Sequence, residues 1–246
     1  MSSSLSAAAR AALPRTDDVR HPTAWPLYRL APGARWVIRR WYDVRLHATE
    51  NIPTTGPVIM ASNHVGIADG PLLAIFSPRG VHALTKSEMF EQPFLRRFLN
   101  FAGQIPLHRS FTDPGAVRIA LRVLRAGHVM AIYPEGARGS GELERFHLGA
   151  AYFGLVSGAP IVPAYMFGTR LPGGTASSLP PRRSRIDIVY GAPFHLDPAP
   201  WPRRREQLTA ASKLLQEHML VQLDRAKALT GRSLPGPLPS LEENDD

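Results

Sequence analysis

The stretch Asn63-His64-Val65-Gly66-Ile67-Ala68-Asp69 sets an imidazole and a carboxylate five positions apart. Five residues on one regular helix would leave the two side chains about 140° apart, at 3.6 residues per turn. They meet only if the chain loops between them, and Gly66 permits that. A His held by an Asp is the arrangement of a general base: the carboxylate fixes the tautomer and stabilises the imidazolium that forms. A plainer reading stands beside it. Asp69 before Gly70-Pro71 can be a helix N-cap, a place where Asn serves equally well, and His64 can be a loop histidine.

Two more stretches carry polar groups that could act on a ligand. Gly103-Gln104-Ile105-Pro106-Leu107-His108-Arg109 delivers an Arg after a short extended piece. Tyr133-Pro134-Glu135-Gly136-Ala137-Arg138-Gly139-Ser140 follows an apolar run, and Phe146-His147-Leu148-Gly149 lies just beyond. Arg109 and Arg138 are planar donors suited to a phosphate. Gly136 and Gly139 let the backbone approach a ligand closely. Each also has a local explanation: Arg138 as a surface residue, Glu135 paired with a neighbour, Gly136 making a turn.

The elements that must position these groups alternate between strand and helix. Apolar or alternating runs predict strands at 44–48, 58–61, 81–85, 129–133, 161–167 and 185–191. Pro163 within one of them argues for a bulge or an edge position. Helices are predicted at 72–76, from Glu88 to Phe101, from Thr112-Asp113-Pro114 to Gly127, at 147–156 and at 201–229. In the second of these, Phe94, Phe98 and Phe101 fall at helical spacing beside Arg96-Arg97, a face expected in the core ahead of contact with a membrane. This alternation predicts a single α/β domain with a largely parallel or mixed central sheet flanked by helices. Loops at the ends of such strands are where open α/β folds bind ligands.

Upstream, residues 23–44 read as an amphipathic helical segment, with Val37, Trp41 and Val44 at i, i+4, i+7 and Arg35, Arg39 and Arg40 at the flanks. A Trp/Arg-rich helix of this kind suits a membrane interface, or packing on the domain. The domain is expected over 23–230. Residues 1–22, Ser/Ala-rich and then polar, and 231–246, Pro-rich and then acidic, are expected to be disordered.

Composition narrows the function classes. The 246 residues are 44% hydrophobic and include no Cys, which excludes disulfides, thiolate metal sites and a Cys nucleophile. The 29 Lys+Arg against 20 Asp+Glu give a formal net charge of +9, which favours an anionic partner such as a phospholipid surface or a phosphorylated substrate. The basic residues are dispersed, without zinc fingers or basic heptads, so nucleic acid is not the expected partner. No apolar run reaches the roughly 18 residues of a membrane span, and the first residues hold no apolar signal core.

Taken in order, the blocks resemble the glycerolipid acyltransferase family, whose best-known activity is transfer to 1-acyl-glycerol-3-phosphate (lysophosphatidic acid). The family's N-H-x-x-x-x-D block is matched by Asn63, His64 and Asp69. Its G-x-x-F-I-D-R block is matched at Gly103 and Arg109, with Leu107 and His108 departing. Its F-P-E-G-T-R-S block is matched at Pro134, Glu135, Gly136 and Arg138, with Tyr133, Ala137 and Gly139 departing. An apolar run with Pro is matched by Ile161, Val162 and Pro163. His147 stands where the family often has Lys. The resemblance spans roughly residues 35 to 195.

This resemblance implies that His64 takes the proton of an acceptor hydroxyl as it attacks an acyl thioester, with Asp69 orienting the imidazole. Asn63, Arg109, Glu135, Gly136 and Arg138 would hold the acceptor. The donor would be acyl-CoA or acyl-carrier protein, as co-substrate and with no cofactor or metal. The protein would work in the cytoplasm as a peripheral enzyme on the inner face of an anionic membrane. Alternatives are an acyltransferase or thioester hydrolase acting on a phosphate-free acceptor, or a membrane-binding protein with a decayed site.

Overall fold

The computed structural model describes residues 14–23, 25–109, 112–200 and 203–239. Seven strands form one mixed sheet: β1 (Asp43–His47), β2 (Val58–Ser62), β3 (Val81–Lys86), β4 (Ile105–Leu107), β5 (Val129–Ile132), β6 (Ile161–Phe167) and β7 (Arg185–Tyr190). Their order is β1-β7-β6-β2-β5-β3-β4. Every neighbouring pair is parallel except β6 and β7, which run antiparallel. Among the described residues six α-helices accompany them: α1 (Trp25–Arg39), α2 (Asp69–Phe76), α3 (Pro93–Phe101), α4 (Pro114–Arg125), α5 (Gly149–Ser157) and α6 (Arg205–Thr230).

The central strands are apolar throughout because helices cover both of their faces. Ile59 and Ala61 of β2 belong to one core cluster, with buried residues of α4, α5 and α6. Val58 and Met60, alternating with them, belong to the other, with residues of α1 and α2. Helix α4 starts where its sequence says it should. Asp113 caps it, accepting from the Ala116 N–H at 3.0 Å, and Pro114 occupies its first turn. Because β2, β5, β3 and β6 point the same way, the loops leaving their carboxyl ends share one edge of the sheet.

Four expectations are revised. Pro163 is neither on an edge nor in a bulge: β6 lies between β2 and β7. Ladder pairing with β7 begins at Ala164↔Tyr190, so the missing N–H falls where that ladder ends, and the Pro163 carbonyl accepts from Gly191 at 2.9 Å. The Phe face of α3 is not core. Phe94 is 85% exposed, Phe98 and Phe101 are also exposed, and Leu99 is the helix's buried residue. Periodicity reveals that a helix has an apolar face but not what that face meets.

The 37–41–44 stripe does not form, since α1 ends at Arg39 and Val44 is already buried in β1. Instead α1 buries Leu27 and Ala31 and exposes Leu30, Trp36 and Val37. The stretches flanking the domain are packed where they are described. Thr16 is fully buried, and Arg125 donates to the Pro14 carbonyl. Leu234 and Leu238 are buried, two apolar anchors in a Pro-rich stretch. The rest of both termini, 1–13 and 240–246, lies outside the described residues.

Candidate active site

Strand β2 hands the chain to the site through Asn63. Its side chain is fully buried and extends the sheet sideways: Oδ1 accepts from the Met166 N–H at 2.8 Å, and Nδ2 donates to the Met166 carbonyl at 3.4 Å. Asn63 therefore fixes the end of β2 against β6, with its amide turned to protein. The loop then bends, and Asp69 opens α2 as its first residue, with Ala68 as N-cap. Asp69 is thus no cap. Its carboxylate points back into the loop, where Oδ2 accepts from the N–H groups of Val65 at 2.7 Å and Gly66 at 2.9 Å.

The same Oδ2 lies 2.9 Å from His64 Nδ1. A carboxylate only accepts, so Nδ1 carries the proton and Nε2 presents a lone pair. Asp69 is fully buried, whereas the His64 side chain keeps 19% of its surface exposed. Asp69 Oδ1 accepts from Thr169 Oγ1 at 2.5 Å. The imidazole also rests on the Tyr133 ring, with centroids 4.0 Å apart and planes 21° from parallel. The Tyr133 hydroxyl is buried and has no hydrogen-bond partner among the described residues. Burial, with the Asp69 charge nearby, pushes its pKa well up.

The loop after β5 closes over the other side. Glu135 Oε1 accepts from the His64 N–H at 2.9 Å, and the Gly139 N–H donates to the His64 carbonyl at 2.9 Å. Burial pushes the Glu135 carboxyl up to about 7, with the Asp69 charge adding to it. No ion pair joins Glu135 to Arg138. Gly136 has φ +75°, and a Cβ there would come within 2.7 Å of the His147 ring, so only Gly fits. Arg109 reaches this loop from the end of β4 and donates to the Gly136 carbonyl at 2.7 Å. Arg138 donates to the Ala176 carbonyl at 3.1 Å. Both guanidinium groups thus border the same loop, and each holds a backbone carbonyl.

Two residues of the site were not singled out in the sequence, Thr169 and Arg170, directly after β6. Arg170 is 1% exposed. Its guanidinium donates to the carbonyls of Val65 at 2.6 Å, Gly139 at 2.8 Å, Gly174 at 3.0 Å and Gly236 at 2.6 Å. One cation thereby joins the loops after β2 and β5 to the C-terminal segment. The strand-end rule that pointed to residues 63–69 and 133–140 applies equally to Gly168-Thr169-Arg170.

An imidazole with one nitrogen fixed on a buried carboxylate and the other offering a lone pair can take a proton from a hydroxyl or a water. The comparisons with known proteins bear on the family and the fold. A 1-acyl-sn-glycerol-3-phosphate acyltransferase of Bacillus subtilis is 24% identical over 72% of this chain and 86% of its own length. The one from Borreliella burgdorferi is 32% identical over 49% of this chain and 50% of its own. The crystal structure of the 1-acyl-sn-glycerophosphate (LPA) acyltransferase PlsC from Thermotoga maritima shares the fold, with a TM-score of 0.60 at 20% identity, covering 82% of this chain and 80% of that one. The family model described as Acyltransferase matches residues 43–167, from the first strand of the sheet to the end of β6 and so across every loop of the site except the one after β6. This chain is a member of the acyltransferase family.

Proposed function

We propose that this protein moves a fatty acyl group from acyl-CoA or acyl-carrier protein to the hydroxyl of a lysophosphatidic acid-like glycerophospholipid. His64 Nε2 takes the acceptor's proton as its oxygen attacks the thioester carbonyl. As the tetrahedral intermediate collapses, the C–S bond breaks and the imidazolium returns the proton to the thiolate. Asp69 orients the ring and stabilises its charged form. The observation that carries this reading is the 2.9 Å bond from His64 Nδ1 to an Asp69 carboxylate that is fully buried and held by three other donors.

In this reading Arg109 and Arg138 bind the acceptor phosphate, with Glu135 and Gly136 shaping the cleft beside them. Asn63 contributes by fixing the end of β2. Work at the inner membrane face is supported by the +9 charge and by the exposed face of α3, where Phe94 and Phe98 lie beside Arg96 and Arg97. Among the described residues no helix is long and apolar enough to cross a membrane, so contact would be peripheral. The alternative, transfer to a phosphate-free acceptor or to water, is favoured by one observation: both Arg residues already hold backbone carbonyls.

The deciding experiment is thioester release with and without lysophosphatidic acid, on wild type and His64→Ala. General-base catalysis contributes roughly 10²–10⁴-fold, and a loss of that size is expected. A variant keeping half of wild-type turnover would refute the mechanism. Release that ignores lysophosphatidic acid would favour the hydrolase reading. Arg138→Lys should weaken the acceptor's apparent affinity by about tenfold while leaving that of the thioester alone, because the ammonium lacks the planar fork.

A further inference from the structure

At the opposite edge of the sheet, three histidines from three separate stretches meet. His82 sits near the start of β3, His128 immediately precedes β5, and His21 belongs to the segment before α1. Each offers a ring nitrogen, and these nitrogens lie within 4.8 Å of one another. Ring centroids are 5.6 Å apart for His21–His82, 4.9 Å for His21–His128 and 5.7 Å for His82–His128. Their separation in sequence hides them: no two stand at a spacing that signals a metal.

We propose that His21, His82 and His128 form a binding site for a divalent transition metal of the zinc class, which clips the N-terminal segment to the sheet. Two features carry this. His82 Nδ1 donates to the Gly103 carbonyl at 2.7 Å, which fixes the tautomer and leaves Nε2 as a lone pair. That is the outer support usual for a metal-binding imidazole. His21 Nε2 is buried with no hydrogen-bond partner among the described residues.

Tetrahedral zinc at about 2.0–2.1 Å from each nitrogen needs them about 3.4 Å apart. The remaining approach is within reach of side-chain rotation at His21 and His128, which stand outside regular elements. His128 is exposed, so the fourth position opens to water. The guanidinium groups of Arg79 and Arg122 lie close enough to act on the cluster. Arg79 is engaged by the carbonyls of Pro53, Gly56 and Gly127. These cations set the affinity below that of a closed structural zinc site.

The segment carrying His21 is held to α4 by Arg118 on the Arg15 carbonyl and by Arg125 on Thr16 and Pro14. A metal bridging His21 to β3 and β5 would add a cross-link between segment and sheet. The test uses the full chain without a polyhistidine tag, stripped with EDTA and equilibrated with micromolar Zn2+. Wild type should retain one equivalent by elemental analysis, and Co2+ in its place should give the visible bands of a tetrahedral ion. His21→Gln and His128→Gln lie away from the catalytic edge and should melt like wild type in EDTA. Each should bind at least about tenfold more weakly. Zn2+ should slow proteolysis of residues 14–22 in wild type alone. No retained equivalent in wild type, or equal retention by either variant, would overturn the proposal.

Discussion

Arg170 Nε and the Val65 carbonyl stand 2.6 Å apart across 105 positions of sequence, and neither has solvent to fall back on. The bond ties the residue next to His64 to the chain leaving β6. A buried guanidinium satisfied by several carbonyls behaves as a fixed hub, because leaving any partner unmade costs its full desolvation. Arg170→Met should therefore lower unfolding free energy by about 3–5 kcal/mol. Arg170→Lys keeps the charge and loses the fork, so it should recover only part of that. Urea unfolding measures both. A loss under about 1 kcal/mol for Met would show that the hub contributes little.

Asp69 accepts four hydrogen bonds, three of them from groups other than His64. Asn cannot accept all of them, since one of its two terminal atoms is a donor. The sequence expectation that Asn would serve as a cap there is revised accordingly. Asp69→Asn should lower turnover by about 10²–10⁴-fold, with a measurable loss of stability as well. Thr169→Val removes only the outer bond and should reduce kcat by about tenfold, equivalent to 1.4 kcal/mol. A kcat–KM comparison decides: a positioning role moves kcat, while a purely structural one moves the melting temperature alone.

Glu135 makes stability depend on pH with a definite sign. Its carboxyl is raised from 4.5 to about 7 by burial. Between those values the native state holds a proton that the unfolded chain has released, so stability falls as pH rises. The contribution is fully present below about 4.5 and gone above about 7, and amounts to about 3 kcal/mol at 1.36 kcal/mol per unit. Glu135→Gln keeps an acceptor for the His64 N–H and should flatten this slope. Denaturant unfolding from pH 5 to 8 tests it, and parallel slopes in both proteins would refute it.

Phe94, at 85% exposure, stands on α3 beside Arg96 and Arg97. Burying one such ring in an interface stabilises by about 1.5–3 kcal/mol, and each basic residue near an anionic surface adds about 1 kcal/mol. Phe94→Ser should reduce sedimentation with anionic vesicles about tenfold or more without changing the melting temperature. Added salt should weaken what remains. Equal binding to neutral and anionic vesicles, or no effect of the substitution, would count against docking through α3.

Some of this was legible because its causes are local. His64 and Asp69 are five residues apart, and a strand end, a Gly and a helix start suffice to bring them together. The central strands announced themselves as continuous apolar runs, since both their faces are covered. Asp113-Pro114 marked the start of α4 through capping and a fixed backbone angle. The blocks around Arg109 and Glu135 could be placed at strand ends, which is where a parallel sheet presents its loops.

What remained hidden depends on contacts between distant segments. Nothing near Asp69 in the chain foretells that Thr169 supplies its fourth hydrogen bond, or that Tyr133 lies under the His64 ring. The sequence leaves the apolar face of α3 open between core and membrane contact, because a hydrophobic period is the same whether the face meets protein, lipid or solvent. Pro163 looked like an edge residue because its missing N–H is local, while the end of the β7 ladder that accommodates it is set by pairing far along the chain. His21, His82 and His128 became one cluster only when the register of β3 against β5 and the path of the N-terminal segment were fixed. Residue types and short spacings determined which chemistry was available; the order of strands in the sheet decided which groups share it.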